Sequence, residues 1–238
     1  MISELVKEEN EIVFIQKDDV FTNSKIIADG VGIRHDKLKR IIEKYTDRLK
    51  KFGGVFYPRK VEINREEKRG RRLEVYDLNE QQATFLITQL NSRSEKAIDF
   101  TEELVRQFFD MREELRKRQA AIPIYLESRH TLMDSIKALP DTEHKKWKYK
   151  QYTDLIYKLV IGKTATQKRK ELGISKKQSV TSFLSSEQID ELSKLESQAT
   201  MLIEMGFEYE QISSGLAKLY EKIKNFKPEI EQYKMIGI

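Results

Sequence analysis

The hydrophobic pattern changes period several times along the chain. Residues 11–15 form a short apolar run that predicts a strand. Thr22, Asn23 and Ser24 then offer short polar side chains to the free N–H groups of a helix start. A helix is expected over about 24–29, with Ile26, Ile27 and Ala28 inward, broken by Gly30 and Gly32. A second helix is expected over about 34–51. Its apolar residues Leu38, Ile41, Ile42, Tyr45 and Leu49 fall at i, i+3, i+4, i+7 and i+11, which makes one buried stripe. Gly53 and Gly54 end it. Two further runs, 55–63 and 73–78, read as the strands of a hairpin joined by a polar tip over 64–72.

From there the helical period dominates. Asn79 is expected to cap a helix to about Leu90, and Ser94 a longer one to about Arg118. The longer helix carries Ile98, Leu104, Val105, Phe108, Met111 and Leu115. Ala120 to Pro123 interrupt the pattern, and a domain boundary is placed there, giving domains of 1–120 and 121–238. Helices are expected over about 124–138, 142–160, 164–172, 186–205 and 208–224. The fold class is therefore α+β, mainly α. A winged helix-turn-helix-like N-terminal domain with a β-hairpin precedes an all-helical C-terminal domain.

Composition narrows the chemistry. The 238 residues include no cysteine, so a disulfide framework and a thiolate zinc site are both excluded. The three histidines, His35, His130 and His144, are far apart, and no metal site is expected. No apolar run approaches the roughly 20 residues of a membrane-spanning helix. The first residues are acidic and lack a signal-peptide pattern. A soluble, cytoplasmic protein is expected. No catalytic residue and no cofactor is expected either. The carboxylate pairs Glu102-Glu103 and Glu113-Glu114 sit on highly charged helices and read as solvated. The glycine pairs lack the Lys-Ser/Thr that anchors a nucleotide.

Charge placement is more telling than the net +5. Residues 31–72 carry 15 Lys/Arg and 6 Asp/Glu, net +9, between two acidic stretches. Such a concentrated positive field attracts polyphosphate. On a helical wheel with Leu38 at 0°, Arg40, Lys44 and Lys51 fall at about 200–240° and Lys37 at about 260°. Asp36, Glu43 and Asp47 form a neighbouring acidic edge. The cationic edge is the expected DNA-facing surface, with Arg40 suited to a bidentate contact with guanine. Arg34 and His35 lie at the N-terminal turn, where free N–H groups favour a phosphate. At the hairpin tip, Arg65, Lys68, Arg69, Arg71 and Arg72 stand against only Glu66 and Glu67, which predicts a phosphate-contacting wing.

Residues 21–111 resemble the phage regulatory protein Rha family. The residues that carry the resemblance are Ser24, Ile27, Ala28, His35, Leu38, Ile41, Tyr76, Leu78, Lys96, Ala97, Phe109 and Met111. The chain departs from the family pattern in a longer, more basic hairpin tip and in Leu78-Asn79-Glu80, where Leu-Thr-x-Asp is common. The resemblance implies a phage or prophage-encoded regulator acting in a bacterial host cell.

Residues 124–225 are similar, more faintly, to the helical C-terminal domains of phage antirepressors. Tyr152, Leu155, Ile156, Leu159 and Val160 form one apolar stripe, and Ile189, Leu192, Leu195, Leu202 and Ile203 another. Both are expected to close one bundle core. Tyr149, Tyr152, Tyr157, Phe183, Phe207 and Tyr220 exceed what that core needs, which places a homodimer or higher homo-oligomer seam in this half. The basic run 163–177 reads either as a solvated edge or as a second helix-turn-helix. Trp147, among lysines, reads as a half-buried anchor. Two functions stay open: a transcriptional regulator binding double-stranded DNA, or an antirepressor gripping a phage repressor protein through its C-terminal helices.

Overall fold

A computed structural model describes residues 11–16, 19–53, 58–61, 73–90, 94–140 and 145–235. The fold is α+β and mainly α. Two compact units divide between Leu115 and Arg116.

In the N-terminal unit, β1 (Phe14–Gln16) and β2 (Asp19–Asn23) form a hairpin. Helix α1 (Ser24–Val31) follows, then α2 (His35–Lys44), α3 (Thr46–Leu49) and a 3₁₀ turn, Lys50–Phe52. Strands β3 (Pro58–Val61) and β4 (Leu73–Asn79) come next, then α4 (Glu80–Thr88) and the first part of α5 (Glu95–Ala138). The antiparallel sheet has the order β1-β2-β4-β3. Thr22 lies opposite Leu78 and Arg59 opposite Val75. Proline has no N–H for a ladder, and Pro58 is tolerated because it opens an edge strand. The core joins Val20, Ile27, Ala28, Leu38, Ile42, Leu49, Leu78, Leu86, Leu104 and Phe108. Each large aliphatic side chain buried there contributes about 1.5–3 kcal/mol.

Several expectations change here. Residues 19–23 form a strand whose pairing with β4 is long-range and leaves no trace in local spacing. Gly30 does not break α1; it lies inside it, and Gly32 ends it with φ 76°. Gly32 is needed for that left-handed turn. Gly30 is needed for a different reason: a Cβ there would fall within the Phe100 ring of α5. The helix expected over 34–51 is divided at Tyr45, whose φ of −105° and ψ of 12° depart from helix. The hydroxyl of Thr46 donates to the Ile42 carbonyl at 3.0 Å and takes a place in the ladder, which favours a bend. Ile98 and Val105 are not core residues; they are 58% and 42% exposed.

The interruption expected at 120–123 is absent, because α5 runs through Pro123 as one helix of 44 residues. An internal proline costs about 3 kcal/mol. Here Ala121, Ile122 and Tyr125 pack onto the C-terminal core on either side of it, and that burial opposes the cost.

The C-terminal unit contains the rest of α5, then α6 (Lys145–Ile161), α7 (Ala165–Glu171), a 3₁₀ turn at Val180–Phe183, α8 (Ser186–Glu204) and α9 (Tyr209–Met235). Both predicted stripes enter one core, with Tyr152, Ile156, Ile189, Leu192, Leu195 and Leu216 at its centre. Tyr152, Tyr157 and Tyr220 are buried in that core, so they are not surplus to it. Trp147 is 61% exposed rather than half-buried. In the basic run, Lys163 and Lys168 both pair with Glu171, at 2.6 and 3.2 Å. Its only helix among the described residues is the seven-residue α7.

A charged group is sealed inside this bundle. Glu196 on α8 has no exposed surface. It accepts from Arg129 at 3.0 Å and from Ser128 at 3.1 Å, both on α5, while Arg129 also donates to Thr153 on α6 at 2.8 Å. Burial pushes the Glu196 carboxyl above the usual range, and Arg129 opposes that shift. Arg129→Met should leave the carboxylate buried and unpaired, at a cost of about 3–5 kcal/mol at neutral pH. A carboxyl with a raised pKa in the folded state stabilises it below the unfolded pKa, and that stability is lost as pH rises. The deficit of Arg129→Met, measured by urea unfolding, is therefore expected to shrink as pH falls into the acid range. A deficit independent of pH would show that the loss comes from packing alone.

Candidate nucleic-acid interface

The exposed face of α2 is the candidate interface, and polar junctions hold the α2–α3 segment at both ends. At its start, α2 meets a junction of three adjacent side chains, each of which ties separate segments together. Thr22 donates from its hydroxyl to the Ile12 carbonyl at 2.7 Å. The Asn23 side chain accepts from the N–H groups of Lys25 and Ile26 at 3.0 Å and caps α1. The Ser24 hydroxyl is fully buried, lies 2.9 Å from Nε2 of His35, and accepts from the Tyr76 N–H at 3.0 Å. One oxygen thus links α1, α2 and β4. Burial lowers the His35 pKa, and Lys25 and Lys39 lower it further. Burial thus disfavours the charged ring, whose Nε2 shares a hydrogen bond with the serine hydroxyl.

At the far end of the segment, Asn79, which closes β4 and caps α4, forms a capping box with Gln82 of α4. The same two side chains reach back to the end of α3. Asn79 Nδ2 donates to the Phe52 carbonyl at 2.8 Å, and Gln82 Nε2 to the carbonyls of Leu49 and Gly53 at 3.2 and 3.1 Å. These carbonyls lie where the helical ladder runs out, and the two amides supply them with side-chain donors. Between the two ends, Lys39 pairs with Glu74 of β4 at 3.1 Å. Tyr45 stands edge-on to Phe85 of α4, with centroids 5.8 Å apart.

Leu38 and Ile42 lie in the core, and Lys37, Arg40 and Lys44 are exposed on the far side of the same helix. Their i, i+3, i+7 spacing puts them on one face. Among the described residues, neither Lys37 nor Arg40 forms an ion pair; Lys44 Nζ lies 5.2 Å from the centre of the Tyr45 ring. Three cations on one rigid face, one of them an arginine, suit an anionic ligand with regularly spaced charges.

The other expected contacts fare differently. Lys51 is exposed but lies in the 3₁₀ turn, so the division at Tyr45 removes it from the α2 face. Arg34 is 85% exposed and pairs with Asp36. That hydrogen bond, with Asp36's own backbone N–H, holds the carboxyl below the usual carboxylate range. Asp36 thereby puts an anion in the first turn of α2, where a phosphate had been expected. His35 is engaged with Ser24 and is a structural residue in this arrangement. Arg65, Lys68, Arg69, Arg71 and Arg72 lie outside the described residues, although β3 and β4 on either side of them pair as a hairpin. Among the described residues, no group of carboxylates and histidines could hold a metal, and no helix is long and apolar enough to cross a membrane.

Sequence reasoning missed Gln82. Its position three residues after Asn79 signals a capping box, but its bonds to the end of α3 depend on tertiary placement.

Residues 22–113 match the family described as phage regulatory protein Rha. The match begins at the Thr22-Asn23-Ser24 junction and covers both anchors of the α2–α3 segment and the exposed cations of α2. No curated protein matches the chain. The C-terminal helices lie outside the family match.

The buried serine hydroxyl sets a testable cost. Ser24→Ala removes the hydroxyl that the Tyr76 N–H and His35 share, at a cost of about 1–3 kcal/mol. A base whose folded pKa is lowered contributes stability above its unfolded pKa, and that stability is lost as pH falls. The wild-type chain is expected to lose stability of the N-terminal unit as pH drops below about 6.5, and His35→Gln to flatten that part of the profile. Thermal melts between neutral and mildly acid pH measure both effects. An unchanged slope in His35→Gln would remove His35 as the titrating group.

Proposed function

We propose that this chain is a phage or prophage-encoded transcriptional regulator whose N-terminal unit binds double-stranded DNA. The observation that carries the reading is the exposed row Lys37, Arg40 and Lys44 on the first helix of the α2–α3 segment, which is held at its start and at its end. Helix α1, the Gly32 turn and α2 stand in the order of a helix-turn-helix. The β3–β4 hairpin follows, as a wing would. In this reading α2 enters the major groove. Arg40 contacts base edges, and Lys37 and Lys44 contact phosphates. The tip residues Arg65, Lys68, Arg69, Arg71 and Arg72 lie along the backbone. The family match to a phage regulatory protein supports the regulatory half of the proposal.

Binding to phage early-promoter fragments, measured by fluorescence anisotropy across a salt series, tests it. Arg40→Ala should cost about 1–3 kcal/mol on the preferred site and less on random DNA. Arg69→Ala with Arg71→Ala should weaken all DNA almost equally and lower the salt slope by about 2. A chain that binds no DNA at low salt, yet retains a phage repressor in a pulldown, would replace this reading with that of an antirepressor.

A further inference from the structure

The segment between α6 and α8 is fixed by its uncharged residues, and its cations are left over. Thr164 and Gln167 close a capping box at the start of α7. At its end the Ile174 N–H reaches the Arg169 carbonyl at 3.2 Å and the Gly173 N–H that of Lys170 at 3.2 Å, around Gly173 with φ 62°. Gln178 folds residues 175–178 into a turn. Its side chain accepts from the Ser175 N–H at 3.0 Å, and its own N–H donates to the Ser175 carbonyl at 3.1 Å. Val180 is buried in the C-terminal core, and Ala165 and Ile174 pack against it. None of these contacts uses a lysine side chain.

Between Asp154 and Glu187 the chain carries seven Lys/Arg and one acidic residue, Glu171, net +6. Glu171 is already shared by Lys163 and Lys168. Lys170, Lys176 and Lys177 are exposed, and among the described residues they form no ion pair. The acids that flank the segment are engaged elsewhere. Burial, then Glu210 and Asp154, raise the pKa of Tyr209 on α9. Asp190 pairs with Lys194 at 2.6 Å, Glu191 accepts from the Tyr220 hydroxyl at 2.8 Å, and Glu187 has an interaction of its own. A protein interface is built on an apolar or aromatic centre from which lysine is depleted. No large apolar side chain of residues 163–180 is exposed. Point charges without such a centre suit phosphates, which lysine neutralises without a fixed bonding geometry.

We propose that Lys170, Lys176 and Lys177 form a second DNA contact, in the C-terminal unit, which binds the phosphate backbone of duplex DNA without reading its sequence. This rests on the reading that the chain binds duplex DNA, and it adds a contact outside the residues of the family match. The basic run thus acts as a capped phosphate platform and not as a second helix-turn-helix.

Binding of the full chain to preferred and random duplexes, followed across a salt series, tests this. Lys170→Gln, Lys176→Gln and Lys177→Gln together should lower the salt slope by about 2–3 and weaken both duplexes by the same factor. All three sites are exposed, so the melting temperature should stay near wild type. Lys218→Gln, Lys222→Gln and Lys224→Gln on α9 remove the same charge and should leave the slope near wild type. The loss should add to that of Arg40→Ala, because the two surfaces act independently. If Arg40→Ala changes nothing while the C-terminal substitutions lower the slope, the reading of α2 fails and this proposal stands. Three results would each overturn it: DNA binding whose slope the C-terminal substitutions leave unchanged, an equal loss from the α9 substitutions, or no DNA binding at low salt. An unchanged slope with loss of a captured phage repressor would assign the surface to a protein partner instead.

Discussion

The buried hydroxyl of Ser24 is the point from which the N-terminal unit is organised. It lies at the first residue of α1, meets the first residue of α2 through His35, and receives the Tyr76 N–H of the central strand β4. A polar group without exposed surface is costly unless its hydrogen bonds are made. The two helices and the strand must therefore meet in one relative placement for the oxygen to be satisfied. Apolar packing of Ile27, Leu38 and Leu78 drives the collapse, but such packing tolerates small slides. The hydroxyl does not. The Gly30–Phe100 approach then sets α5 against α1 at the thickness of a ring.

Much of this was legible in the sequence. The order of helices, the hairpin, the Asn79 cap and the turn at Gly32 follow from local spacing and local chemistry. What was not legible depended on partners far along the chain. Strand β2 carries only five residues and is recognisable through its pairing with β4. Pro123 and the alanines before it read as a break, yet packing onto the C-terminal core keeps the helix intact. The cationic face of α2 was legible for Lys37, Arg40 and Lys44 because they lie within one unbroken helix. The extrapolation failed for Lys51, beyond the bend at Tyr45. His35 shows a further limit: residue type and position suggested a ligand contact, and only the fold reveals that its ring is taken.

The C-terminal unit uses a different device. Its apolar stripes alone would allow its helices to slide past one another. Glu196, bound by Ser128 and Arg129 of α5, with Arg129 bound in turn to Thr153 of α6, ties three helices to one carboxylate. Burying an ion pair adds little net stability compared with an apolar substitute. Its effect is to penalise every register in which the charge loses its partners.

The division at Tyr45 sets the length of α2. Ten residues at about 1.5 Å each give a rod of about 15 Å, close to the roughly 12 Å width of the DNA major groove. On the proposed reading, so short a rod touches only a few consecutive base pairs, and lengthening it would require straightening the bend at Tyr45 and moving the residues after α3 that Asn79 and Gln82 hold. Information for a longer operator must then come from repetition of the unit or from the mechanical preferences of the DNA between its contacts.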